Sequence, residues 1–378
     1  MTTAVIGAGL SGLVRARALT ARGEDVVVFE ESDRAGGAVR SESRGGYLLE
    51  LGPNTVRPTP ELSSLVDELG LGDETLFADA RLPRYVDFGG RLHPLPMSPG
   101  ALLKTRLLST RGKLRLLREP FVRRGDPSRE SVRAFVARRL GPEIADRLVE
   151  PFVSGIWAGR SDELAAAHAF PSLVRAETEH GSLTRGGLAE LRRRAPSPGG
   201  RRGLLSFRSG LEALPRRIAE ELGSRVRFRT RVDAVRRVGN RFQLSAAGEE
   251  VEVDAVCLAT PAGDAARLLQ DLDPRAAAAL AGIPQPPLVV LHVGWRGRIP
   301  LRGFGHLVVP QPGRRILGAV WSSNLFPGRA PEGSSLLTVF LGGARDPAAI
   351  ELSDADLLAA ATHDLDAAFA RRSELEPI

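Results

Sequence analysis

Short apolar runs alternate with longer helical spacings from the first residues onward. Ala4-Val5-Ile6 reads as a buried strand, Leu13, Val14, Ala16 and Leu19 recur at helical spacing behind it, and Val26-Val27-Val28-Phe29 reads as a second buried strand. That pattern is a βαβ unit, and it predicts an α/β fold with parallel strands. Residues 46 to 55 read as an extended segment ending in a turn, 60 to 71 return to helical spacing, and 83 to 92 read as a hairpin. From 97 to about 194 the apolar positions keep helical spacing, and a proline- and glycine-rich run from 195 to 203 closes that block as a linker. Beyond it a helix is predicted over 210 to 222. Strands follow near 225 to 230 and 241 to 246, and an apolar strand from 253 ends at Thr260-Pro261. This return of strand and helix extends the opening sheet from far along the chain. Residues 287 to 343 read as mostly antiparallel strands over 288 to 293, 305 to 309, 316 to 321 and 336 to 341.

The turn between the first strand and its helix is Gly7-Ala8-Gly9-Leu10-Ser11-Gly12. Gly7 permits the tight turn, Gly9 lets the backbone approach a pyrophosphate, and Gly12 lets the helix pack on the strand, so that its N-terminal amides face the phosphates. Glu30 ends the second strand, where an acidic side chain accepts hydrogen bonds from a ribose diol. Arg34-Ala35-Gly36-Gly37 follows at once. This second glycine element resembles that of FAD-dependent, amine-oxidase-like flavoproteins and is foreign to most nicotinamide enzymes.

Composition narrows the class. With 378 residues the chain suits two or three domains, and it holds no run of eighteen apolar residues. The opening strand at Ala4 leaves no room for a leader, so a cytoplasmic start is expected. The single cysteine, Cys257, sits in an apolar strand pattern and is expected to be a buried, inert thiol. The net charge of +7 is carried almost wholly by arginine, lysine occurring only at Lys104 and Lys113, and no aromatic platform interleaves with it. Nucleic acid is therefore not expected as a partner. The six histidines lack ligand spacing, so no metal site is expected. The helical block is richly basic between Lys104 and Arg139, and there and just before it Leu102, Leu103, Leu107, Leu108, Leu114, Leu116 and Leu117 alternate with Arg106, Arg111, Lys113, Arg115 and Arg118, a surface suited to anionic lipid headgroups. A solvated arginine face over an ordinary core is the alternative reading.

Two further blocks are more distinctive. Glu150-Pro151-Phe152-Val153-Ser154-Gly155-Ile156-Trp157-Ala158-Gly159 is the first; the second runs from Gly303-Phe304-Gly305-His306-Leu307 to Gly342-Gly343-Ala344-Arg345-Asp346-Pro347. Together with Glu50-Leu51-Gly52-Pro53-Asn54 and Gly210-Leu211-Glu212-Ala213-Leu214, they closely resemble the oxygen-dependent protoporphyrinogen oxidase family over nearly the whole chain. The resemblance implies a Rossmann-like FAD-binding domain from 1–78 and 203–265, a mixed-sheet substrate domain from 79–96 and 266–378, and a helical membrane-associating insert from 97–202. It implies FAD-dependent oxidation of protoporphyrinogen IX in haem synthesis, with dioxygen as acceptor and hydrogen peroxide released. Coproporphyrinogen III is the alternative substrate, and an inactive porphyrin-binding or membrane-attached fragment the second alternative.

Carried onto this chain, the resemblance puts Gly7, Ala8, Gly9, Leu10, Ser11 and Gly12 at the pyrophosphate, Glu30 at the ribose, Arg34 and Gly37 beside them, Gly52, Pro53, Asn54 and Thr55 near the flavin ring, and Val232 at the adenine side. Arg84 takes the role of the arginine that pairs with a propionate, and Gly155 that of the glycine whose carbonyl faces the pyrrole nitrogens. Phe304, Leu307, Ile316 and Phe340 take the walls around the macrocycle. The family ends with a further strand, helix and glycine turn that completes its flavin site, and residues 374 to 378 precede them, so an incomplete flavin site is expected. Peripheral contact with the inner face of the cell membrane is expected too, and a homodimer is admitted.

Overall fold

A computed structural model of the chain describes residues 1–193, 203–297, 299, 301–369 and 375–377. The chain forms two compact units, Met1–Phe77 with Gly203–Gln285, and Ala78–Arg202 with Pro286–Ile378. Most of the predicted linker, 195 to 202, lies outside the described residues.

The first unit is organised by a four-stranded parallel sheet in the order Ala255–Leu258, Thr2–Ile6, Asp25–Phe29, Val226–Arg227. Both outer strands come from late in the sequence, as the return of strand and helix predicts. Side-chain alternation divides the sheet's two faces. Val5 and Val28 join Leu13, Ala16 and Leu19 of the helix Leu10–Thr20, and Leu214, Ile218 and Leu222 of the helix Ala213–Leu222. Ala4, Ile6 and Phe29 pack on the other side against Val232, Val235, Leu244 and Val253 of an antiparallel sheet formed by Val232–Val238, Arg241–Ala246 and Glu249–Val253. The apolar segment ending at Thr260-Pro261 is thus two strands, Glu249–Val253 in one sheet and Ala255–Leu258 in the other. Cys257 stands opposite Val5 and is half-buried rather than buried. Residues 266–285, expected in the substrate domain, belong to this first unit: Leu268 and Leu272 pack into the core beside Val232.

The second unit carries a seven-stranded mixed sheet in the order Leu375–Pro377, Leu288–Arg296, Ser334–Gly342, Ile316–Val320, Gly305–Val308, Arg84–Asp87, Leu92–Pro94. Only the contact of Gly305–Val308 with Arg84–Asp87 is parallel, which ties the predicted hairpin to strands far along the chain. One face is filled by Val293, Trp295, Ile316, Trp321, Leu337, Val339 and Leu341 and covered by Leu357, Ala361 and Leu365 of the helix Asp354–Phe369. Asp364 fastens that helix by accepting hydrogen bonds from the Arg315 and Ile316 amides (2.9 and 3.0 Å) and from Arg314. The helical segment has its own core of Leu108, Val132, Phe135, Val136, Ile144, Ala145, Val153 and Ala166, yet it forms one unit with the sheet. No helix among the described residues is long and apolar enough to cross a membrane.

Candidate functional site

In the first unit, a cradle is assembled from four segments of sequence. Gly7 turns the chain at φ +103°, its amide bonded to the Phe29 carbonyl at 2.8 Å. A Cβ on Gly12 would lie 2.0 Å from the Gly7 carbonyl oxygen, so helix and turn approach as closely as only glycine allows. Gly9 begins the helix with no side-chain cap, and a Cβ there would meet nothing within 4 Å. Open space therefore faces the uncapped amides at the positive end of an eleven-residue helix. Beside it, Thr260 follows the last parallel strand and keeps a buried hydroxyl with no hydrogen-bond partner among the described residues.

Glu30 is half-buried, one carboxylate oxygen accepting the Ala8 amide (2.7 Å) and the other the Ser32 amide and hydroxyl (2.9 and 2.7 Å). A carboxylate accepts about four hydrogen bonds, so capacity is left for a sugar hydroxyl. The uncapped helix end, the orphaned hydroxyl of Thr260 and the oriented carboxylate fit the pyrophosphate and ribose of a dinucleotide.

The second glycine element leans on the first. The Gly36 amide donates to the Ala8 carbonyl at 2.9 Å, and a Cβ on Gly37 would sit 3.2 Å from the Gly9 Cα. A Cβ on Gly52 would lie 1.9 Å from the Ala38 carbonyl oxygen, which explains the glycine there and brings Pro53, Asn54 and Thr55 to the same turn. Arg34, expected at the cofactor, turns its guanidinium onto that turn: Nη2 donates to the Gly37 carbonyl (2.7 Å) and Nη1 to those of Ala35 and Val39. Ser11 is exposed, Leu10 packs inward and offers main chain only, and Ala8 is buried with its amide bonded to Glu30 and its carbonyl to Gly36. The same correction applies to Val232, whose side chain is consumed by the core around Ala4 and Phe29. Sequence reasoning missed Thr260, and it assigned no role to Ser41, Glu50 and Glu212, which are hydrogen-bonded together behind the second glycine element. The signal for Glu50 was present, since a carboxylate inside Tyr47–Glu50, an otherwise apolar strand, must find partners when it is buried.

In the second unit, Arg84 begins its strand opposite Gly305, and its guanidinium carbon lies 4.9 Å from the centroid of the Phe304 ring. Gly155 lies in the last turn of the helix Glu150–Trp157, and a Cβ on it would meet Leu307 Cδ2 at 2.3 Å. Carbonyls of a helix's last turn lack intrahelical partners, and Ala158, left-handed at φ 51°, stops the helix from continuing. Leu337, Val339 and Leu341 point into the buried core, so Phe340 points to the opposite face and is half-buried. Leu307 shares that face, because Val308 packs into the core.

Ile316 does not belong with them. A register shift between Ile316 and Gly318 turns its side chain into the core, where it is fully buried. Behind the sheet, Trp321 Nε1 donates to His306 Nδ1 at 3.2 Å, and burial, with the Arg314 charge adding to it, pushes His306 down to about 4. His306 is a neutral core residue.

Residues 10–378 match the model of a family described as flavin containing amine oxidoreductase, and the chain belongs to that family. It is an oxidoreductase whose cofactor is FAD. Protoporphyrinogen oxidases are among its relatives within the class. The chloroplastic protoporphyrinogen oxidase of Oryza sativa subsp. japonica is 34% identical over 392 residues, covering 96% of this chain and 73% of that protein. The protoporphyrinogen oxidase of Homo sapiens is 34% identical over 374 residues, covering 90% of this chain and 77% of that one. The crystal structure of a putative protoporphyrinogen oxidase from Exiguobacterium sp. 255-15 superposes with a TM-score of 0.82 at 24% identity, over 100% of this chain and 84% of that chain. At that identity it speaks to the fold alone.

Proposed function

We propose that this chain oxidises protoporphyrinogen IX to protoporphyrin IX, with dioxygen as the final acceptor. The observation that carries the reading is one sheet face on which a lone guanidinium, Arg84, stands among Phe304, Leu307, Phe340 and Gly155. A broad apolar face with a cation at its margin suits a large flat ring bearing carboxylates at one edge. The names of the relatives support the same substrate. Coproporphyrinogen III carries propionates in place of the vinyl groups, and Arg84 is the one cation among these residues, which favours protoporphyrinogen.

When bound, FAD supplies the acceptor for the hydride that leaves a bridging methylene. The chain's own groups do the rest. Arg84 holds a propionate and sets the ring's rotation, braced by the Phe304 face. Leu307 and Phe340 cover the ring and exclude water. The Gly155 carbonyl accepts a hydrogen bond from a pyrrole N–H, holding that nitrogen's orientation until its proton is lost. The helical segment is read as a peripheral contact with anionic membrane on the inner face of the cell membrane, supported by exposed Leu103, Leu114, Leu117 and Phe121 beside exposed Lys104, Arg106, Arg111 and Arg118.

The test is aerobic turnover of the FAD-loaded chain on both porphyrinogens, read by porphyrin fluorescence and peroxide formation after subtracting autoxidation. The expected kcat/KM for protoporphyrinogen exceeds that for coproporphyrinogen by about tenfold or more. No FAD-dependent porphyrin, or the reverse preference, overturns the reading.

A further inference from the structure

The motif Gly210-Leu211-Glu212 has no role in the chemistry above, yet the structure sets it against the cofactor cradle. We propose that Glu212 is a positioning residue for FAD, acting through Arg34 and Ser41 on the turn from Arg34 to Val39 that backs the first glycine loop. Glu212 Oε2 accepts the Ser41 amide at 2.8 Å, and the Glu212 amide donates back to Ser41 Oγ at 3.2 Å. Ser41 Oγ in turn donates to Glu50 Oε2 at 2.6 Å, and Glu50 Oε1 accepts the Leu211 amide at 3.0 Å. Two carboxylates from distant segments thereby grip one serine. Gly210 is left no side chain by this grip, since a Cβ on it would lie 2.3 Å from Ser41 Oγ.

The other oxygen of Glu212 faces Arg34 Nη1 at 3.5 Å, an ion pair whose members are both partly buried. That guanidinium is already committed to the carbonyls of Ala35, Gly37 and Val39, which curl around it. A carboxylate at its back fixes its plane, and the plane fixes where the three carbonyls sit. Gly37 then presses on the Gly9 Cα, and the Gly36 amide holds the Ala8 carbonyl, so the turn sets the position of the amides that meet the pyrophosphate. Glu212 also precedes the helix Ala213–Leu222, but its side chain caps none of that helix's amides, so it acts on the cradle turn and not on the helix start.

The inference rests on the flavin cradle and is independent of which porphyrinogen is oxidised. Its test is the dissociation constant of FAD, measured by titrating FAD-depleted full-length protein and following flavin fluorescence and the visible spectrum, alongside the thermal midpoint of the FAD-free form. Glu212→Ala is expected to weaken FAD about tenfold, about 1.4 kcal/mol, while the FAD-free midpoint matches that of the control Glu68→Gln, which breaks a surface pair with Arg17 in the same unit. Glu212→Gln keeps the acceptor for the Ser41 amide and should stay within about threefold of the parent. Arg34→Lys should weaken FAD to a similar extent, and adding Glu212→Gln or Glu212→Ala to it should cost less than a further twofold. Unchanged FAD affinity in Glu212→Ala overturns the proposal, as does additivity with Arg34→Lys. Should Glu212→Ala not fold, Arg34→Lys decides: unchanged FAD affinity in folded Arg34→Lys overturns the proposal.

Discussion

Arg84 lies over Phe304 and alternates onto the sheet face of Leu307, so under the proposed function its removal takes away both the partner of a propionate and the cation over that ring. A charged hydrogen bond in a partly dry cleft contributes roughly 1.5 to 3 kcal/mol, so Arg84→Ala should raise KM about tenfold to a hundredfold with flavin content unchanged. Steady-state kinetics with a flavin spectrum decide it, and an unaltered KM removes Arg84 from the site. Ile316 and Phe340 make a sharper pair, because the two were read from the sequence as walls of one pocket and the structure sends them to opposite faces. Ile316→Ala should empty a core position and cost roughly 2 to 5 kcal/mol of stability at constant KM. Phe340→Ala should raise KM and cost much less stability. Denaturant titration beside kinetics separates them, and a KM change confined to Ile316→Ala would reverse the assignment. The slip that hides Ile316 is a backbone event, and no composition of the strand Ile316–Val320 announces a bulge.

Within the helical segment, Glu119 is buried and serves as the cap of the helix Leu183–Arg193, accepting from Ser182 Oγ (2.7 Å) and from the amides of Leu183 (2.8 Å) and Thr184 (3.1 Å) while pairing with buried Arg139. Burial opposes its ionisation, but the bonds from Ser182, Thr184 and the two amides outweigh that and hold its carboxyl down at about 2. A carboxyl depressed on folding contributes stability that is complete above its unfolded value near 4.5 and is lost as pH falls from there towards 2. Glu119→Gln should therefore destabilise the segment by roughly 1.5 to 3 kcal/mol at neutral pH, because buried Arg139 loses the nearer of its two counter-charges and keeps only Glu177, at 3.4 Å. It should also flatten the acid limb of stability between those pH values, which circular dichroism against pH reads directly. An acid limb identical to the parent's would show that this cap does not govern the element. The helix Asp354–Phe369 was invisible to apolar spacing, since alanine and aspartate fill most of it. Its start was nevertheless written in the chain: Ser353 Oγ donates to Asp356 and accepts the Asp356 amide at 3.2 Å, a capping exchange that could have been sought. By contrast the opening strand, turn, helix and second strand were legible because period and punctuation agree there.

Across the whole molecule, the sequence foretold that late segments complete the first sheet, but not that 266–285 stay with it, because the contacts of Leu268 and Leu272 are tertiary. It also foretold a basic, apolar helical surface without saying which leucines show. Leu107 and Leu108 are core, whereas Leu114, Leu117 and Phe121 are bared. If that surface meets lipid, vesicle binding should need anionic headgroups and weaken with salt, since each arginine near the surface is worth about 1 kcal/mol and its field fades within a Debye length of about 8 to 10 Å. Equal co-sedimentation with neutral and anionic vesicles at low and high salt would refute it. The pairing of Thr2–Ile6 with Ala255–Leu258 carries a consequence for how the polypeptide is made. During translation one edge of that first strand stays open until residue 258 has emerged, a wait of roughly 12 to 50 s at about 5 to 20 residues per second. An open apolar edge is a template for pairing with a neighbouring nascent chain. Ribosome-bound chains stalled before residue 255 should therefore remain protease-sensitive over 2–29 and should bind holdase chaperones, and chains stalled well past 258 should resist on both counts.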